Sequence, residues 1–142
     1  MFDVSRDQAR GFLVGAWSKY RQRVPLSPLE DIAAGIILRH PEYHATLEAP
    51  DALEREYRVE DGQANPFLHL SLHLAIEEQL SIDQPSGLRS AFDTLAGRTA
   101  DRHEALHAVL ECLGETIWRA QRERQAPDAE AYLECVRRAA GR

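Results

Sequence analysis

All six histidines of this chain occur in pairs that are four residues apart. Residues at positions i and i+4 lie on one face of an α-helix, so both imidazoles of such a pair can reach a single ion. Two of the pairs lie in long segments with helical periodicity: His69 with His73, and His103 with His107. Neutral imidazole is a common ligand of transition metals. The spacing therefore predicts a metal site built by two histidine-bearing helices.

Both of these pairs lie on the apolar side of their predicted helices. At about 100° per residue, the first pair shares an arc with Ile76 and Leu80, and the second shares one with Leu110 and Ile117. Each buried imidazole needs partners for two ring nitrogens, at about 1–3 kcal/mol for every group left unsatisfied. One divalent cation satisfies a nitrogen of each ring at once. We therefore expect a divalent transition metal, with Zn, Fe, Ni and Mn all compatible with nitrogen and oxygen ligands.

Other side chains are candidates to complete the coordination shell. Glu77 and Glu111 each follow a histidine pair by one helical turn, and with both recruited a two-metal centre of the kind found in bundle cores becomes an option. The third pair, His40 and His44, is a weaker candidate for metal binding, because Pro41 interrupts its helix. His40 is equally suited to be a partner of the dipole at a helix C-terminus, and His44 is a reserve ligand.

A zinc hydrolase is a lesser alternative. The segment from His103 to His107 fits H-E-x-x-H, in which the two histidines hold zinc and Glu104 acts as the general base. The extended metzincin pattern is excluded, because Leu110 and Leu113 stand where it needs Gly and His. Glu104 also suits the N-terminus of its helix as a capping residue. The sequence assigns no catalytic activity and no small-molecule substrate.

The elements that must position these residues are all helical. No segment shows the period-two alternation of a strand, and helix starts are indicated at Ser27-Pro28, Asn65-Pro66 and Asp101. We predict an all-α, single-domain helical bundle of about six to seven helices over residues 1–142, with the two histidine-bearing helices at its centre. Apolar stripes also predict that six aromatic residues belong to the core: Phe12, Trp17, Tyr20, Phe67, Phe92 and Trp118.

Composition and charge exclude several classes of partner. The chain has a net charge of −6 and a pI near 5.5, whereas nucleic-acid binders and proteins that bind anionic membranes need basic surface. The longest apolar run near the start is too short to span a bilayer, and no secretion signal precedes it. We therefore expect a cytoplasmic protein in which Cys112 and Cys135 are reduced structural thiols.

A second hypothesis needs no metal. The histidines would then be structural, and the protein would be an interaction module or a homo-oligomer. Its contact surface would be the acidic segment from Glu48 to Asp61 or the final arginine-bearing helix.

Several long segments resemble the bacterial family of domain of unknown function 1841. They are HPEYH, NPFLHLSLHLAIEEQLSIDQP and HEALHAVLECLGETIWRAQR, together with SRDQAR near the start and AYLEC near the end. The resemblance implies a small bacterial, cytoplasmic, single-domain protein. It implies no activity, substrate or ligand, so the metal hypothesis rests on the histidines alone.

Overall fold

The computed structural model of this chain describes residues 6–57 and 65–141. These residues form seven α-helices and one 3-10 turn, Pro41–Tyr43, and they contain no strand. The predicted all-α, helical-bundle class is confirmed. None of the helices within the described ranges has the length and apolar character needed to cross a bilayer. The helices are α1 (Arg6–Arg21), α2 (Pro28–Leu38), α3 (His44–Glu48), α4 (Pro66–Ile82), α5 (Leu88–Ala96), α6 (Arg102–Glu123) and α7 (Ala129–Ala139).

The chain divides into two compact units, which we call the N-terminal unit (Met1–Leu74) and the C-terminal unit (Ala75–Arg142). The N-terminal unit contains α1, α2, the 3-10 turn, α3 and the part of α4 up to Leu74. The C-terminal unit contains the rest of α4 and α5, α6 and α7. The single domain expected from the chain length stays a prediction.

In the N-terminal unit, α1 packs against α2 and α3. The predicted start of α2 is confirmed as a capping box: the Ser27 hydroxyl accepts from the Glu30 amide, and the Glu30 carboxylate accepts from the Ser27 amide at 2.8 Å. These bonds satisfy amide groups that a helix N-terminus leaves without partners. The buried core of this unit comprises Leu13, Ala16, Trp17, Ala33, Ile37, Leu47, Ala52, Phe67, Leu70 and Leu74.

The chain turns sharply after α2, and this turn positions two histidines. Pro41 opens the 3-10 turn, which leads directly into the short helix α3. Trp17 of α1 donates from Nε1 to the Glu48 carboxylate at 2.9 Å and so ties the end of α3 to α1. Asn65 then caps α4, because its side-chain oxygen accepts from the Phe67 amide at 3.0 Å.

The C-terminal unit packs α5, α6 and α7 against one another. The predicted cap at the start of α6 is confirmed, since Asp101 accepts from the Glu104 amide at 2.8 Å. The prediction of reduced thiols is wrong: Cys112 of α6 and Cys135 of α7 form a disulfide. The two cysteines are 23 residues apart, and only the packing of α6 against α7 brings them together.

Two of the aromatic residues predicted for the core are instead exposed. Trp118 is 56% exposed and Tyr20 is 41% exposed. Each keeps a local partner: the Arg122 guanidinium lies 4.5 Å from the Trp118 ring centroid, and Tyr20 stacks on Trp17. An apolar stripe is thus wider than the face its helix buries, and residues at the margin of the stripe remain in solvent.

Candidate metal centre

Three imidazoles converge within the N-terminal unit. His40 follows the C-terminus of α2, while His69 and His73 lie one turn apart on α4. Each of the three offers a ring nitrogen, and these nitrogens all lie within 4.8 Å of one another. The three ring centroids are nearly equidistant, with separations of 4.7 to 4.9 Å. We call these three residues the histidine cluster.

One hydrogen bond fixes the tautomer of His40. Its Nδ1 lies 2.8 Å from the Ile36 carbonyl oxygen, and a carbonyl can only accept, so Nδ1 carries the proton. In the neutral ring Nε2 then holds the lone pair, which is the form that binds a metal. This Nε2 lies 3.2 Å from Nε2 of His69. The bond to the backbone at the end of α2 therefore leaves an electron pair on the His40 nitrogen that faces His69.

The spacing of the histidine cluster suits a transition-metal ion. Imidazole nitrogens at about 2.0–2.1 Å from a tetrahedral ion are about 3.3 Å apart, with ring centroids separated by about 5 Å. The Nε2 atoms of His40 and His69 are 3.2 Å apart, close to that value. All three nitrogens lie within 4.8 Å of one another, so no pair needs to approach by more than about 1.5 Å to reach that spacing. A side-chain rotation achieves a movement of that size.

The histidine cluster is largely shielded from water. His40 and His73 are each 1% exposed, and His69 is half-buried. Tyr43 of the 3-10 turn covers the outer side: its ring stacks on His40 at 5.6 Å and meets the edge of His69 at 5.7 Å. Burial, with a smaller contribution from Glu42, raises the pKa of the Tyr43 phenol. Tyr43 therefore stays neutral at physiological pH and adds no charge beside the histidines.

His44, the reserve ligand, lies outside the histidine cluster in the same unit. Its Nε2 donates to the Ile37 carbonyl at 2.8 Å, and its ring packs 4.4 Å from that of Trp17. These contacts direct it towards α1 and the end of α2. His40 and His44 thus both donate to carbonyls in the last turn of α2, but only His40 also presents a nitrogen to the pair on α4.

The remaining candidates belong to the C-terminal unit. His103 and His107 lie one turn apart on α6, with ring centroids 4.3 Å apart. Glu77 binds Arg102 through both carboxylate oxygens, at 2.8 and 3.2 Å, and this pairing raises the pKa of Arg102. Glu111 is exposed. Glu104, the general base of the hydrolase alternative, is exposed, and its carboxylate accepts from the Ala100 amide at 3.3 Å.

A comparison with known proteins identifies the family. The family described as Domain of unknown function (DUF1841) matches residues 5–138, nearly the whole chain. The chain belongs to the DUF1841 family. No curated protein and no solved structure matches it. Membership of DUF1841 therefore accounts for the shared sequence and brings no activity with it.

Sequence reasoning gave too little weight to His40 in this DUF1841 chain. Because Pro41 interrupts the helix, the sequence ranks His40 below the other two histidine pairs and makes it equally a partner of the dipole at a helix C-terminus. In the structure the proline starts a 3-10 turn that leaves His40 buried beside α4. One signal was available: His40 continues the apolar stripe of Ile36 and Ile37, so a buried position was indicated before its partners were known.

Proposed function

We propose that this protein binds a divalent transition-metal ion through the histidine cluster. The observation that carries the proposal is the convergence of His40, His69 and His73, with Nε2 of His40 kept as a lone pair by the bond from its Nδ1 to the Ile36 carbonyl. An orienting hydrogen bond to the second ring nitrogen is a regular feature of histidines that bind metals.

The ligand chemistry narrows the choice of metal. Among the described residues of the N-terminal unit, no carboxylate joins the three imidazoles. Imidazole suits Zn, Fe and Ni, whereas Mn favours oxygen ligands. We therefore propose Zn, Fe or Ni in preference to Mn, and a single ion in preference to a two-metal centre. Three neutral ligands leave the full charge of the ion uncompensated, so it would attract an anion or a polar group to its next position.

The fourth ligand decides what such a site can do. On the sequence argument alone we propose His107 for this position, with His103, His44, Glu77 and Glu111 as further candidates. Four protein ligands make a closed site that stabilises the fold, whereas three leave a position at which a substrate or solvent can react. A closed structural site is our preferred form, because the hydrolase alternative requires Glu104 as a base and its carboxylate already accepts from the Ala100 amide just before α6.

Metal analysis of untagged protein, purified without metal-affinity resin, tests the proposal. We expect about one equivalent of a transition metal, and a rise in thermal stability when Zn, Fe or Ni is added to metal-free protein. His73→Ala should abolish both effects. Less than about a tenth of an equivalent, together with no thermal shift, would contradict the proposal.

A matched pair of variants on α6 tests the fourth ligand. His107→Ala should weaken metal binding by at least about tenfold, while His103→Ala, the same change one turn away, should leave it within about twofold. Affinities within about twofold of wild type for both variants would exclude both histidines of α6 as the fourth ligand. In that case Glu104→Gln, assayed for hydrolysis with metal still bound, becomes the test of the hydrolase alternative.

A metal-free interaction module is the second candidate function, and the exposed Trp118 favours it. An exposed tryptophan beside an arginine is typical of contact surfaces between proteins. The acidic segment proposed as a contact surface extends to Asp61, and residues 58–61 lie outside the described residues. Light scattering of wild-type protein and Trp118→Ala tests for a homo-oligomer. The bacterial origin and the cytoplasmic location stay predictions, and the disulfide counts against the second of them because disulfides are rare in cytosolic proteins.

A further inference from the structure

The C-terminal unit contains a cleft with polar groups that the metal proposal does not use. A cleft of about 470 Å³ lies between α5 and the C-terminal end of α7. Its polar groups are Ser90, Thr94, Arg98 and Arg137, and alanines and glycines form the rest of its wall. We propose that this cleft binds a small molecule through an oxyanion group, either a phosphate or a pair of carboxylates. The proposal does not depend on the metal site.

The two arginines supply the positive charge. Arg98 donates from Nη1 to the Ala140 carbonyl, which leaves most of its five N–H groups available. Arg137 makes no hydrogen bond or ion pair with residues 6–57 or 65–141, whereas the adjacent Arg138 pairs with Glu134. Among the described residues that line the cleft, none is acidic. Two uncompensated guanidinium groups in one cleft form a local positive field on a chain whose net charge is −6.

Two glycines make room for these guanidinium groups. A Cβ at Gly87 would lie 3.3 Å from Nη2 of Arg137, and a Cβ at Gly141 would collide with Nη1 of Arg98. Both glycines have positive φ, +99° and +89°, which other residues rarely adopt. The backbone therefore accommodates each arginine at a position where a side chain would displace it, and both arginines are directed to the same cleft.

The geometry of the groups indicates the class of ligand. A guanidinium presents paired N–H donors that match the oxygens of a phosphate or carboxylate, and two of them favour a ligand with two negative charges. The Ser90 hydroxyl adds a donor, while the Thr94 hydroxyl already donates to the Ser90 carbonyl. The volume falls within the range of about 300–1,000 Å³ typical of small-molecule sites. Ala91 and Ala140 provide an apolar wall for the body of an organic phosphate.

Calorimetric titration with three probes tests the proposal: inorganic phosphate, phenyl phosphate and malonate, all at one ionic strength set with NaCl. We expect saturable binding of at least one probe, and tighter binding of phenyl phosphate than of inorganic phosphate because of the apolar wall. Preference for phosphates or for malonate identifies the natural oxyanion. Failure of all three probes to saturate would overturn the proposal.

Two variants on α7 distinguish binding at a specific site from a non-specific effect of positive charge. Arg137→Gln removes a guanidinium that holds no bond to the described residues, so we expect an unchanged fold and at least about tenfold weaker binding. Arg138→Gln, the matched control, removes the same charge from the adjacent position and should leave binding within about twofold. Equal losses of affinity in the two variants would show that binding depends only on the net charge of this surface and would overturn the proposal. Arg98→Gln/Arg137→Gln should abolish binding, with far-UV circular dichroism confirming that the protein is folded.

Discussion

Replacing His40 by alanine tests the histidine cluster most sharply among single substitutions. The imidazole is 1% exposed, donates to the Ile36 carbonyl and lies 3.2 Å from His69. His40→Ala removes one of three converging ligands and leaves a cavity in the core. The Ile36 carbonyl keeps a partner, because it also accepts from the Arg39 amide at 3.1 Å. The substitution should therefore weaken mainly the packing of the core and the binding of the metal.

The expected loss of stability in His40→Ala has two parts. Without metal, the cavity and the lost imidazole contact should lower the free energy of unfolding by about 2–4 kcal/mol. With free metal at about 100 times Kd, binding stabilises the wild type by about 2.7 kcal/mol. If loss of a ligand raises Kd about 100-fold, the same metal concentration stabilises the variant by only about 0.4 kcal/mol. At about 3–4 °C per kcal/mol, the metal-induced rise in Tm should fall from about 9 °C to about 1 °C.

Differential scanning calorimetry with and without metal measures both parts, and His44→Ala is the matched control. His44 is the same residue type, four positions away, and it also donates to a carbonyl of α2. Its substitution should lower Tm in the absence of metal but leave the metal-induced rise at about 9 °C. A rise in Tm that His40→Ala retains and His44→Ala abolishes would refute the role of His40 as a ligand.

Three further predictions concern stability. Glu77→Gln breaks the two-point ion pair with Arg102 and should lower the urea-derived free energy of unfolding by about 0.5–1 kcal/mol while leaving metal stoichiometry unchanged; loss of metal would instead identify Glu77 as a ligand. The pKa of Asp83 is lowered because its carboxylate accepts from the amides of Arg89 and Gly87, so its contribution to stability is present above the unfolded pKa of about 4 and is lost as pH falls through the folded pKa. The stability gap between wild type and Asp83→Asn in urea should therefore narrow between pH 7 and pH 3, and a gap that widens would contradict this sign. Cys112→Ser/Cys135→Ser should lower the free energy of unfolding by about 3 kcal/mol, because the disulfide joins residues 23 positions apart and so closes a loop in the unfolded chain. Detection of two free thiols in native, unreduced protein would contradict the disulfide itself.

Local rules account for the parts of the fold that the sequence predicted. Ser27, Asn65 and Asp101 cap helices as expected, because a capping side chain acts on amides within three residues of itself. The i, i+4 spacing likewise explains why the rings of His69 and His73 lie side by side, with centroids 4.9 Å apart. Such features depend on helix geometry alone, so no tertiary information is needed to predict them.

Features that depend on packing between distant segments were not predictable in the same way. The position of His40 beside α4 depends on the path of the 3-10 turn after Pro41, and the Cys112–Cys135 bond depends on the docking of α7 on α6. Neither feature can be predicted from the hydrophobic periodicity of a single segment. Trp118 shows the converse, since its stripe position suggested burial but the helix buries a narrower face.

An anomalous difference map from crystals of the metal-loaded protein, recorded on both sides of the metal absorption edge, tests the central claim most directly. We expect one peak at about 2.0–2.1 Å from ring nitrogens of His40, His69 and His73. A peak bound elsewhere, or no peak beside these three imidazoles in protein shown to contain metal, would contradict it.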